Sequence, residues 1–159
     1  MIRVAILTIS DSAFAGKRED LSGPALQQKC ADFGWIVSSC LVVPDDPGQI
    51  AAALTNWADN AIADLILTTG GTGISARDHT PEATRRILDR ELPGIAELMR
   101  LKGLDQTPFS VLSRGLAGTR KRALIINLPG SPNGAVYSLG LVQPLVPHAL
   151  RLLAGDTEH

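Results

Sequence analysis

Three short apolar runs that end in small residues constrain this chain more than any other feature. They are residues 2–9 (IRVAILTI), 64–69 (DLILTT) and 123–128 (ALIINL). After Arg3, the first run is apolar at odd and even positions alike, the mark of a strand covered on both faces. Residues 36–43 (IVSSCLVV) read as a further strand. Helical patterns separate the strands, so the chain is expected to be α/β, a single three-layer domain over residues 1–159. A mainly parallel sheet with right-handed crossovers would be flanked by helices. No internal repeat, low-complexity tract or linker interrupts it.

The helices carry their own signals. Residues 10–23 are polar and read as a loop, after which Pro24 suits a first helical position and Leu26, Cys30 and Phe33 share a face. Asp46 with Gln49 makes a capping-box-like start with Pro47 at the first position. Ile50, Leu54, Trp57, Ala58 and Ala61 then follow at helical spacing. Thr80-Pro81-Glu82 opens a third helix with Ala83, Ile87 and Leu88 on its apolar face. Residues 93–101 read as helical, 108–118 as irregular or short-helical, and 132–140 and 144–154 as two closing helices.

Composition removes several classes of function. Net charge is −1, from 15 basic and 16 acidic residues, and no segment is one-signed. A nucleic-acid surface and a polybasic membrane anchor are therefore not expected. Aromatic residues are 4% of the chain, too few for base stacking to be a main activity. No run reaches the ~18–20 apolar residues of a membrane span, and the N-terminus lacks the features of a signal peptide. Cys30 and Cys40 are too few for a disulfide scaffold and read as buried thiols of a cytoplasmic protein. His79, His148 and His159 lack zinc-ligand spacing.

Open parallel sheets bind ligands at the carboxyl ends of their strands. Three loops there share one character: Ser10-Asp11-Ser12, Gly70-Gly71-Thr72-Gly73 and Pro129-Gly130-Ser131-Pro132. Small residues let backbone N–H groups approach an anion, and hydroxyls add donors. Asp11, Asp45, Asp46 and Asp78 fall on the same rim. Phosphate donors with interspersed acids point to phosphate plus a divalent cation. The basic run Arg120-Lys121-Arg122 is either a solvated edge or a contact to polyphosphate. No Gly-Lys-Ser/Thr is present, which excludes a P-loop, and no GxSxG elbow supports a hydrolase. Gly71 to Ala76 fits a loose dinucleotide pattern, but Pro81 delays the helix and no acid falls at the next strand end.

The run from Gly70 to Thr84 (GGTGISARDHTPEAT) closely resembles the signature of the MogA/MoaB family, the molybdopterin adenylyltransferases of molybdenum cofactor synthesis. The G domains of gephyrin and its plant counterpart are related. Thr8-Ile9-Ser10-Asp11, Ser22-Gly23-Pro24, Val43-Pro44-Asp45-Asp46, Pro108-Phe109, Leu112-Ser113-Arg114, Ala117-Gly118 and Asn127 to Pro132 match in order. The likeness covers roughly residues 3–154.

The resemblance implies transfer of AMP from ATP to the terminal phosphate of molybdopterin, with release of pyrophosphate and with Mg²⁺. It also implies a homotrimer and hand-over of product to a molybdenum-insertion enzyme. By that likeness Asp78 and Asp45 hold the metal or orient substrate, with Asp11 and Asp46 as secondary candidates. Gly70, Gly71, Thr72 and Gly73 would cradle phosphate. Ser10, Ser12, Pro129, Gly130 and Ser131 would line the neighbouring nucleotide or pterin pocket. A non-catalytic molybdopterin-binding paralogue, and a nucleotide hydrolase like the domain of competence/damage-inducible proteins, are the alternatives.

Overall fold

The computed structural model describes residues 1–158; His159 lies outside them, so the expectation about its spacing is not addressed. β1 (Arg3–Ile9), β2 (Ile36–Val43), β3 (Leu65–Thr69) and β6 (Ala123–Leu128) form the parallel part of one six-stranded sheet, ordered β2-β1-β3-β6-β5-β4. β5 (Ala117–Arg120) runs antiparallel to β6, and β4 (Arg90–Glu91) antiparallel to β5. The three both-face apolar runs are the central strands β1, β3 and β6, as their pattern requires.

Alternate residues of those strands feed two cores. Val4, Ile6, Leu65, Leu67, Leu124 and Ile126 face one side. There α2 (Ser22–Asp32), α5 (Pro93–Gly103), α6 (Pro132–Val142) and α7 (Val146–Leu153) supply Leu26, Met99, Leu139 and Val146. Ala5, Leu7, Ile66 and Ile125 face the other side. They meet Ile50, Leu54 and Trp57 of α3 (Pro47–Asp59) and Ala83 and Ile87 of α4 (Thr80–Ile87). The result is the expected three-layer single domain.

Several local expectations are corrected. The loop expected over 10–23 holds a short helix, α1 (Asp11–Phe14), because Ser10 accepts a hydrogen bond from the Ala13 N–H. α2 starts at Ser22, which places Pro24 within its first turn. Phe33 and Leu88 cap their helices rather than continue them. Within 108–118 lie a 3-10 turn (Pro108–Leu112) and the start of β5. β5 is Ala-Gly-Thr-Arg, without a strand-like composition. Gly118 is needed there, since a Cβ would stand 2.4 Å from the Arg90 carbonyl oxygen. Cys40 is exposed, whereas Cys30 is buried and its thiol is pushed up to about 12, chiefly by burial.

The hairpin joining β5 to β6 also resolves the basic run. Arg120 pairs with Ala123 at the amino end of β6, on the rim opposite the glycine loops. Its guanidinium donates twice to Asp59 at 2.8 and 2.9 Å and once to the Ile87 carbonyl at 2.8 Å. The run is a structural edge and not a polyphosphate contact of the candidate site.

Candidate active site at the strand ends

The parallel register brings the loops after β1, β2, β3 and β6 to one rim. β3 ends at Thr69, whose hydroxyl donates to the Pro129 carbonyl at 2.7 Å and so ties the glycine loop to the loop after β6. Gly70 follows at φ +104°, where a Cβ would stand 2.3 Å from the Ile9 carbonyl oxygen. Gly71 follows at φ +67°, where a Cβ would meet the Thr80 hydroxyl at 2.3 Å. A residue with a side chain fits neither the conformation nor the space.

The same loop faces both expected acids. A Cβ on Gly71 would lie 3.2 Å from Asp45 Oδ1, and one on Gly73 would lie 2.8 Å from Asp78 Oδ2. Asp45 accepts the Asp11 N–H on Oδ2 at 3.0 Å, and Asp78 accepts the Ser75 N–H on Oδ2 at 2.9 Å. Among the described residues, the other oxygen of each has no protein donor. Burial pushes the Asp45 carboxyl up, and the neighbouring charges of Asp11 and Asp78 add to that push.

Not every rim acid is available. Asp11 and Asp45 exchange hydrogen bonds, since the Asp45 N–H donates to Asp11 Oδ1 at 2.9 Å. Arg77 grips both oxygens of Asp11, at 3.0 and 2.9 Å, and holds its carboxyl below the usual range. Asp46 caps α3 by accepting the Gln49 N–H at 2.8 Å. Asp11 is thus committed to structure through both oxygens, whereas Asp46 caps through one. The cradle is also narrower than expected, because the Gly70 N–H donates to the Leu128 carbonyl at 3.3 Å. Gly71, Thr72 and Gly73 retain their N–H groups among the described residues. Thr72 itself is buried, and its carbonyl accepts the Arg114 N–H at 2.8 Å.

Two cavities flank the loop after β6. One, of about 400 Å³, is lined by Ser10, Asp20, Ser22, Gly70, Gly130 and Ser131. The other, of about 390 Å³, is more apolar and is lined by Met99, Phe109, Ser113, Asn127, Ser131 and Tyr137. Ser131 lies between them and caps α6 through the Gly134 N–H at 3.1 Å. The hydroxyl of Ser10 lies 3.2 Å from that of Ser12. The expected residues Ser10, Gly70, Pro129, Gly130 and Ser131 thus line cavities, while Asp45 and Asp78 sit at the neighbouring glycine loop.

Sequence reasoning missed four participants. Asp20 accepts from the Thr8 hydroxyl at 2.9 Å and the Gly23 N–H at 3.0 Å, shaping the first cavity. Arg77, Arg114 and Glu82 brace the loop that carries Asp78. Arg77 and Arg114 lie inside the matching motifs, but their partners are too distant in sequence for spacing to reveal.

Comparison with known proteins identifies the family of the chain. Residues 5–148 match the model of a family described as a probable molybdopterin binding domain. A molybdopterin adenylyltransferase of Helicobacter pylori is 40% identical over 157 residues, covering 98% of this chain and 89% of that protein. The crystal structure of the molybdopterin biosynthesis enzyme MoaB from Thermus thermophilus superposes with a TM-score of 0.91 at 55% identity, covering 98% of each chain. A CinA protein of unknown function from Thermoplasma acidophilum shares the fold alone, at 19% identity and a TM-score of 0.70 over 91% of this chain and 97% of that one. The chain therefore belongs to the molybdopterin-binding domain family of molybdenum cofactor biosynthesis, the MogA/MoaB group.

Proposed function

We propose that the chain is a molybdopterin adenylyltransferase, moving AMP from ATP to the terminal phosphate of molybdopterin and releasing pyrophosphate. The observation that carries this reading is the pair of cavities that share Ser131 beside the glycine loop. Two substrates, each a heterocycle bearing phosphate, need two pockets whose phosphate ends converge. Each cavity falls within the usual ~300–1,000 Å³ of a small-molecule site.

The chemistry asks for positioning more than proton transfer. A phosphate monoester has its second pKa near ~6 and is largely dianionic at neutral pH. One of its oxygens forms the new bond to the α-phosphorus of ATP as the bond to pyrophosphate breaks. The obstacle is the approach of two polyanions, which oriented donors relieve. The N–H groups of Gly71, Thr72 and Gly73 supply such donors, with the Ser10 and Ser131 hydroxyls beside them.

The rim acids suit Mg²⁺ in its usual mode. Among the described residues no three His, Cys, Asp or Glu side chains are grouped to hold a metal by themselves. Magnesium instead takes one or two carboxylates, with substrate phosphates and water completing its shell. Asp45 and Asp78, each with an uncommitted oxygen, supply that pair, and the ion when bound would offset phosphate charge.

Incubation with molybdopterin, ATP and Mg²⁺, followed by mass analysis of the pterin, tests the reading. An AMP adduct with matching pyrophosphate supports it. Tight pterin binding without product supports the binding paralogue, and ATP breakdown without pterin supports the hydrolase. We also place the protein in the cytoplasm as a homotrimer that passes its product to a metal-inserting enzyme. No helix among the described residues is long and apolar enough to cross a membrane. Exposed Leu101, Phe109 and Val111 are consistent with an association surface, which light scattering would test.

A further inference from the structure

We propose that Arg114 is a positioning residue that fixes Asp78 on the rim, braced by neighbours that line the more apolar cavity. The inference relies on the adenylyltransferase reading for its kinetic test. Arg114 Nε donates to the Gly73 carbonyl at 2.7 Å and Nη2 to the Asp78 carbonyl at 2.9 Å, while Nη1 is ion-paired with Glu82. Its own N–H donates to the Thr72 carbonyl at 2.8 Å. One residue thus holds the loop at 72, 73 and 78 and the first turn of α4 at Glu82.

Besides Arg114, the span between those anchors is tied by the Arg77 fork on Asp11, which reaches α1, and by the Thr80 N–H on the Gly71 carbonyl at 3.1 Å. Residues 74–77 lack regular structure and are exposed. Within it, Asp78 accepts from the Ser75 N–H and donates its own N–H to the Ser75 carbonyl at 3.1 Å, which closes a local turn without placing that turn on the sheet. Arg77 ties the turn to α1, while the Arg114 guanidinium is the group that bridges Asp78 directly to Gly73. A planar fork reaches three separate acceptors at once, whereas a lysine offers one nitrogen.

Arg114 is braced in turn from the cavity. Arg100 Nη1 donates to the carbonyls on either side of it, Ser113 at 3.2 Å and Gly115 at 2.8 Å. Arg100, Ser113 and Gly115 all line the more apolar cavity. A substrate seated there packs against the segment that holds Asp78.

Arg114→Lys, Arg114→Ala and Glu82→Gln, made in the full chain, test the assignment by steady-state kinetics and amide hydrogen exchange. Both Arg114 variants should lose roughly 100-fold in kcat, the cost of a displacement of about 1 Å, with both KM values nearly unchanged. Exchange in 73–79 should accelerate while β1 and β3 stay protected. Glu82→Gln, which keeps a neutral acceptor, should lose only several-fold. Wild-type turnover in Arg114→Lys, a loss confined to KM, or unchanged exchange in 73–79 would each overturn the proposal. If Arg114→Ala does not fold, the other two variants decide. A wild-type chain that makes no adenylylated pterin refutes the adenylyltransferase reading instead, and the exchange result still decides the role of Arg114.

Discussion

Gly71→Ala isolates what the glycine loop contributes to stability. The residue sits at φ +67°, and a left-handed conformation costs an L-residue about 1–2 kcal/mol. The new methyl would also stand 2.3 Å from the Thr80 hydroxyl, which donates to the Gly70 carbonyl at 2.8 Å in a buried hydrogen bond. Displacing that hydroxyl leaves a buried acceptor unsatisfied, at about 1–3 kcal/mol. The combined loss of roughly 2–5 kcal/mol corresponds to a fall in Tm of about 4–20 °C for a chain this long. Circular dichroism melts of Gly71→Ala and of the control Gly140→Ala check this. Gly140 lies in α6, and a Cβ there meets nothing within 4 Å. The control should melt at or above wild type, because alanine is the better helix former by about 1 kcal/mol. Adding Thr80→Ala to Gly71→Ala should remove the collision and make the two changes less than additive. A Gly71→Ala melt within about 2 °C of wild type would refute the reasoning. The same arithmetic bears on any bulkier change at Gly71, whose weakened anion binding would be mixed with lost stability.

Other perturbations separate the roles of the rim. Asp78→Ala should fold and bind molybdopterin but lose adenylylation by ~100-fold or more, read as pyrophosphate release. Asn127 is buried, accepts the Leu116 N–H at 3.1 Å and donates to the Thr68 and Thr84 hydroxyls at 2.9 and 3.0 Å. Asn127→Leu should therefore destabilise by about 3 kcal/mol in denaturant melts, since several buried groups lose their partner. Mg²⁺ should raise the Tm of the wild-type chain more than that of Asp45→Asn, because a cation relieves the crowding of Asp11, Asp45 and Asp78.

The central strands, the α/β class and the rim were legible because they depend on local pattern. A strand buried on both faces cannot hide in β1, β3 or β6, and a capping residue such as Asp46 announces the helix it starts. β5 and β4 were not legible. Four residues including Gly118 carry no alternation, and the turn Lys121-Arg122 has none of the residues that mark a tight hairpin. At the site, Asp45 and Asp78 were found through the family motifs. The division of labour among the acids was not, because it is decided by partners remote in sequence. Asp11 is withdrawn by Arg77, 66 residues away, and Asp78 is fixed by Arg114, 36 residues away.

Those partnerships explain a feature of Asp45 that has a measurable pH signature. Four acids share one rim, yet only Asp11 has a guanidinium on its carboxylate oxygens. Asp45, raised first by burial and then by its acidic neighbours, carries the strain of the cluster. An acid whose folded pKa is raised gains its charge at a cost to the folded state, and that cost grows as pH rises through its pKa. Asp45→Asn should therefore melt slightly above wild type at pH 8, and the difference should shrink toward pH 4. Its turnover should be lost at every pH. A difference in Tm that is independent of pH would show that the Asp45 carboxyl is not raised in the folded chain.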